Sequence, residues 1–397
     1  MRQVFWPLAG MTLLQTVSVI LFLAVPVMAP VVAKDLGIDA SAIGAYSSIV
    51  FLVAMFVSAG IGTVIQRYGA VRTVQVGLLL SALALLLTTA GTLAAVFLGA
   101  VLIGLGYGPN TPAGSHVLAR VTPPNMRGLV FSIKQSGAPL GGMLTGLLIP
   151  PIAAGLGWQA AAWVAIAIAI AGAILVQPLR ARCDDDRRPD RRISMRATWS
   201  SLRLLLANRP LRRLTVASFA YSSLQMCSFS VLVAFLVEVV GLDLVTAGIA
   251  FAAMQISGVV ARVGWGWLAD NVIAARPLLT LIGIVGALLI GLLTAFTPDW
   301  PFWAIVAVCI AVGATVAGWN GVFLAEVARI APEGQVGAAT GGTLFFTYFG
   351  LVVGPASFTA LVAATGSYAI AFQAVAAVSL LAALAQYLPA RPAIGQA

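Results

Sequence analysis

Twelve long apolar runs fill this chain of 397 residues, and they are laid out twice. They fall near 8–33, 42–66, 74–91, 95–120, 128–152 and 159–178, then near 211–238, 245–269, 277–297, 302–328, 337–364 and 369–389. A hydrocarbon core about 30 Å thick takes about 20 apolar residues to cross as helix, and such runs exceed the roughly 10-residue strands of a membrane barrel. The expected fold is therefore an all-α membrane protein of twelve transmembrane helices. Polar landmarks repeat with the runs. Gly37-Ile-Asp39 and Gly44 return as Gly241-Leu-Asp243 and Gly248, and Gly62 and Gln66 as Gly266 and Asp270, each 204 residues on. Ala119-Arg120-Val121 returns as Ala328-Arg329-Ile330 at 209, and Gln15 with Ser18 as Gln225 with Ser228 at 210. Duplicated spanning units whose few polar groups follow the repeat are the pattern of a transporter. The expected organisation is a six-helix half over 1–178, a linker over 179–210 and a second six-helix half over 211–397.

The charges point the same way. Only 9% of residues are charged and mean hydropathy is +1.03, so a soluble surface is excluded. A net charge of +10 would suggest nucleic acid in a soluble protein, but position decides otherwise. Arg2, Arg67, Arg72, Arg127, Arg209, Arg212, Arg213, Arg276, Arg391 and the arginines from Arg180 to Arg203 all sit in alternate connections, whereas the other connections hold Lys34 beside Asp35, Asp39, Asp243 and Asp299. The positive-inside rule then puts both termini and the linker in the cytoplasm, in a cytoplasmic (inner) membrane, with the lipid bilayer and no nucleic acid as partner. The linker, with Asp184-Asp185-Asp186 and a short amphipathic stretch from Ser200, reads as a solvated connector; a lipid-headgroup role is the alternative. Cys183, Cys227 and Cys309 have neither disulfide nor metal spacing, and no nucleophile constellation appears, so neither an enzyme nor a cofactor is expected. Pro139, Pro150, Pro151 and Pro355 should kink their helices and free backbone carbonyls.

Gly62-Thr-Val-Ile-Gln66-Arg67-Tyr-Gly69-Ala-Val-Arg72, between the second and third runs, resembles the cytoplasmic signature of the major facilitator superfamily; Gly266-Trp-Leu-Ala-Asp270 is the closer copy at its acid. The resemblance covers nearly the whole chain. Two departures matter. The first copy has Gln66 where the family carries an acid. The Gly-x-x-x-Gly-Pro motif of drug exporters is imperfect in the fifth span (Gly137-Ala-Pro139-Leu-Gly141-Gly142) and better matched in the fourth and eleventh. In the family such a signature implies a gate, an acid at a helix end pinning neighbouring helices in one state and releasing them in the other. Gln66, Arg67, Arg72, Asp270 with Arg276, and Glu326 with Arg329 are the candidate gating residues.

Two cations lie deep in the apolar runs. Lys134 stands about six residues inside the fifth span and Arg262 about seven inside the eighth, each ~10 Å from a helix end. Exposing such a group to lipid costs at least ~2.5–3.5 kcal/mol. Snorkelling would lessen that for Lys134, and Arg262 could simply brace the gate. Two cations at matched depth with no carboxylate at that level instead suggest a cavity awaiting an anion. Gln135 adjoins Lys134, Gln255 lies two turns before Arg262, and Tyr107, Asn110, Trp319 and Asn320, with Tyr348 from the eleventh span, would line the rest. Arg262 eight residues before Asp270 resembles monocarboxylate and oxalate–formate carriers, in which an arginine of the eighth helix holds the substrate carboxylate. A guanidinium suits that role because its fork grips both oxygens. His116, the lone histidine, is the candidate for proton coupling, against a plainer packing role.

The expected function is secondary active transport of a small organic anion, a carboxylate, by alternating access, as proton symport or anion exchange, in a protein functional as a monomer. A sugar or other neutral polar solute carrier is the main rival, needing amides and aromatics but no paired cations. A multidrug exporter fits less well, because no acid stands mid-membrane to attract cationic drugs.

Overall fold

The computed structural model describes residues 2–37, 41–190, 193 and 196–387, and among them it contains helices and connections but no strand. Asp39, Arg191, Arg192 and Arg391, used above for the repeat and the charge pattern, lie outside the described residues. The spans are α1 (Arg2–Val27), α2 (Ser41–Gly60 continuing as Gly62–Tyr68), α3 (Ala70–Thr88), α4 (Leu93–Val121), α5 (Pro124–Leu156) and α6 (Trp158–Cys183). After the linker come α7 (Arg209–Glu238), α8 (Leu244–Asn271), α9 (Ala275–Leu293), α10 (Phe302–Ile330), α11 (Val336–Thr365) and α12 (Tyr368–Tyr387). Eleven helices are long and apolar enough to cross a membrane, and α2 is a twelfth when its two pieces, bent by 63°, are taken as one span. That bend lies at Gly60-Ile61-Gly62, with no proline present; paired glycines let the ladder break. The helices continue through their prolines, α5 past Pro150 and Pro151, and α11 past Pro355. Around Pro139 the ladder does loosen, α5 being divided at Ser136.

One apolar core joins residues of α1 to α6 with Leu344 and Tyr348 of α11, and a second joins Leu224 to Ala376 across α7 to α12. The two sets of six helices meet along two seams. The first stretch of α5, Arg127–Gln135, packs on α8 and α10, whereas its second stretch, Gly137–Leu156, packs on α1 and α6. The other seam pairs α2 with α11. Outward-facing Leu147, Ile174, Trp303 and Leu381 are each more than 60% exposed and form an apolar surface suited to lipid tails.

The linker departs from the solvated connector that its composition suggests. Its helix, Arg196–Ala207, lies against α2, α7 and α11, with Leu205 and Ser201 buried. Asp184 is buried and its carboxylate accepts from the N–H groups of Val71 (2.8 Å) and Arg72 (3.1 Å) at the start of α3. A helix N-terminus leaves such donors unpaired, and a nearby carboxylate satisfies them. Burial pushes the Asp184 carboxyl up despite those two donors. Asp185 and Asp186 pair with Arg120 at 2.6 and 2.7 Å, so the acidic triplet is a docking element.

Candidate functional site

Lys134 ends the first stretch of α5 and is 1% exposed. Its stem passes over Gly114 of α4, where a Cβ would sit 2.7 Å from the lysine Cε, so a larger residue there would push the end of the lysine aside. Its Nζ donates to Gln15 Oε1 on α1 at 2.6 Å and to Gln135 Oε1 at 3.1 Å. Arg262, 7% exposed, donates from Nε to the Ala317 carbonyl at 2.8 Å and from a terminal nitrogen to the Gln135 carbonyl at 3.1 Å. Among the described residues neither cation has a carboxylate within 4 Å.

Both carbonyls held by Arg262 have a local origin. Pro139 has no N–H to give the carbonyl four residues back, and that residue is Gln135. Ala317 closes a π-helical turn, Gly313–Ala317, in the middle of α10. Such turns break the regular ladder and recur at functional sites. Trp265 of α8 donates to Ala314 O in the same turn at 2.7 Å. Gln135 therefore joins the two cations, its side chain taking Lys134 and its backbone Arg262.

The remaining candidates divide. Asn110 donates to Leu14 O at 3.3 Å, leaving its own Oδ1 buried and unpaired, and Gln255 Oε1 is likewise buried without a partner. Trp319 and Asn320 both donate to Gln225 Oε1 on α7, at 3.3 and 3.4 Å. Tyr107 and Tyr348 have ring centroids 6.3 Å apart and join Phe22 and Phe51 in one aromatic cluster spanning α1, α2, α4 and α11. Gln15 and Gln225 were not among the sequence candidates. Their signal was present, since the repeat puts them at matching places in α1 and α7, each facing a polar group of this region.

His116 is placed elsewhere. Its Nε2 lies 2.7 Å from Asp186 Oδ2, so the ring faces the linker, away from Lys134 and Arg262. Although burial works against the charged form of Asp186, the hydrogen bond and charge of His116, with Arg120, hold its carboxyl below the usual carboxylate range.

The gating candidates also sort by partner. Asp270 and Arg276, expected in one gating network, have separate partners. Its carboxylate accepts from Gly128 N and Leu129 N at the start of α5, both at 2.7 Å, and Arg276 donates to the Gln386 carbonyl at the end of α12. Two backbone donors at a helix N-terminus, held in place by the fold, satisfy both oxygens of the acid. Gly128 and Gly266 approach so closely that a Cβ on either would meet the other's carbonyl at 2.5 Å. Glu326 is buried and paired bidentately with Arg329 at 2.6 Å. Gln66 donates to Gly334 O at 3.4 Å, across the second seam. Arg67 lies over the Tyr68 ring, and the Arg72 side chain is exposed. The hydrogen bonds that cross between the sets of helices, from Gln66, Asp270, Ser58 and Arg262, run from the linker side to the depth of Lys134.

The sequence profile of the Major Facilitator Superfamily matches residues 11–355. The chain belongs to this superfamily. Its members are carriers, so the protein is a membrane transporter and not an enzyme. The chain is 24% identical over 394 residues to a hexuronate transporter of Bacillus subtilis (strain 168), covering 94% of this chain and 91% of that protein. Among solved structures it resembles the E. coli fucose:proton symporter FucP (TM-score 0.75, 16% identity, 96% and 99% of the two chains). It also resembles the human organic anion transporter MFSD10 (TM-score 0.76, 17% identity, 97% and 99%). At these identities the two structures establish the fold alone.

Proposed function

We propose that this transporter carries a polyhydroxylated organic acid, a sugar acid of the hexuronate type, by alternating access around Lys134 and Arg262. The observation that carries the reading is the pair of buried cations joined through Gln135 with no acid beside them. A buried charge without a counter-ion is costly, and a bound carboxylate would supply one. The arginine has donors to spare for both carboxylate oxygens. The unpaired oxygens of Asn110 and Gln255 await donors, which sugar hydroxyls provide. The name of the Bacillus relative agrees with a carboxylate on a sugar frame. The amide and aromatic lining would also serve a neutral sugar, and that remains the second reading.

In this reading the linker side is cytoplasmic, both termini lie there, and the protein works as a monomer in the inner membrane. The contacts along the linker side correspond to a carrier closed toward the cytoplasm. Bringing one negative charge into a cell at 100 mV, inside negative, costs about 2.3 kcal/mol, so accumulation requires a coupled proton or exchange for another anion.

Uptake into proteoliposomes tests the reading with glucuronate, its neutral amide and glucose. The expected result is transport of the acid alone, lost in Lys134→Ala and Arg262→Ala while each variant remains folded. Equal transport of the amide, or wild-type uptake in both variants, would overturn it.

A further inference from the structure

We infer that Lys134 carries the coupled proton, binding it together with the substrate anion at the third position on its own nitrogen; this rests on the carboxylate reading above. The Nζ of Lys134 has two acceptors, Gln15 Oε1 and Gln135 Oε1. A neutral amine has two N–H groups and satisfies both. An ammonium has a third, and that third donor is what a carboxylate would take. Proton and anion thus complete the same unfilled position.

The neighbours leave the lysine free for this task. On the elements packed against α5, the charged and titratable groups are Arg262 and Asp270 on α8, Cys309, Glu326 and Arg329 on α10, Tyr107, His116 and Arg120 on α4, Arg180, Arg182 and Cys183 at the far end of α6, and Arg2 at the start of α1. Asp270 is occupied by Gly128 and Leu129, Glu326 by Arg329, and His116 and Arg120 by the linker acids. From α1 the lysine meets only the amide of Gln15. Arg262 keeps its charge at every accessible pH, so of the two cations only the lysine exchanges a proton.

The charge balance then closes. The empty carrier returns with Arg262 charged and Lys134 neutral, one positive charge in the site. The loaded carrier crosses with Arg262, protonated Lys134 and one carboxylate, again one positive charge. The proton taken up on the outer side is released to the cytoplasm with the anion, and one anion with one proton moves no net charge. A membrane voltage then neither helps nor opposes the cycle.

Purified protein in proteoliposomes, with glucuronate as probe and a trapped pH dye, tests this. In wild type, an imposed gradient, alkaline inside, should accumulate glucuronate about tenfold per pH unit with one proton entering per anion, and a potassium–valinomycin voltage should have no effect. Lys134→Arg keeps a cation that cannot release its proton. It should lose accumulation driven by pH, whatever exchange of external for internal glucuronate it keeps. Accumulation by Lys134→Arg at the wild-type ratio would overturn the inference, as would wild-type uptake that follows voltage or moves no proton. Should Lys134→Arg exchange nothing, the wild-type voltage and dye measurements decide alone. Absence of any glucuronate exchange in wild type would instead sink the carboxylate reading itself.

Discussion

The two seams between the sets of helices are built from matching parts of the repeat and yet are held differently. At the α5/α8 seam, Asp270 places a full negative charge on two N–H donors of the α5 N-terminus, both at 2.7 Å. At the α2/α11 seam the corresponding residue is Gln66, which reaches Gly334 O with one neutral bond at 3.4 Å. Charge-assisted bonds are about twice as strong as neutral ones, so the first seam is a lock and the second closer to a contact. The second seam has other help. Its glycine, Gly341, lies against the Ser58 carbonyl, the linker helix packs across α2 and α11, and Asp184 braces the start of α3 just beyond Gln66. The acid missing from the repeat is partly replaced by acids from the linker.

Four substitutions probe that asymmetry, each read as the distance between spin labels at the exposed positions Tyr68 and Val272, which report opening of the linker side. The largest effect is expected from Gly266→Ala, because its Cβ would stand 2.5 Å from Gly128 O, a backbone atom that cannot move aside. Closure should be lost and the long-distance population should dominate; an unchanged distribution would remove the close-approach account. Asp270→Asn comes next. Replacing a carboxylate by an amide on two backbone donors forfeits about 1.5–3 kcal/mol, a roughly ten- to hundredfold shift toward the open side. Asp184→Asn should weaken the cap on α3 by about 1 kcal/mol, loosening the α2/α11 seam about fivefold with a fall in melting temperature. The smallest change is Gln66→Asp. Aspartate gives up the neutral bond to Gly334 O but brings a charge near the α11 N-terminus worth about 0.3–1 kcal/mol, so closure should be favoured by at most two- to fivefold, with slower transport. If Gln66→Asp opened the linker side instead, the two seams would not be equivalent parts of the repeat.

Much of this architecture could be read from residues. Apolar length and the doubled landmarks pointed to twelve spans, and the Asp270 signature pointed to the superfamily, because both are local patterns. Lys134 and Arg262 stood out because charge is so rare in these runs. Their actual partners did not, since a freed carbonyl depends on where Pro139 and the π turn aim the backbone. The gating network of Asp270 and Arg276 is an expectation from charge and motif, whereas a helix N-terminus is a partner that sequence does not print as a residue type. The linker acids were misjudged for the same reason. A run of aspartates looks solvated until the α3 N-terminus, Arg120 and His116 are brought beneath it.

Arg262 holds two backbone oxygens of unequal fate. Ala317 travels with it in the same six helices, but Gln135 belongs to the opposing set. In the proposed alternating-access cycle the tie to Ala317 would travel with Arg262, and the tie to Gln135 would be severed. A guanidinium nitrogen would thereby lose its acceptor at mid-journey, and cargo seated beside it would be the natural replacement. An unladen return would leave that nitrogen bare, which would make it slower than the swap of one cargo for another.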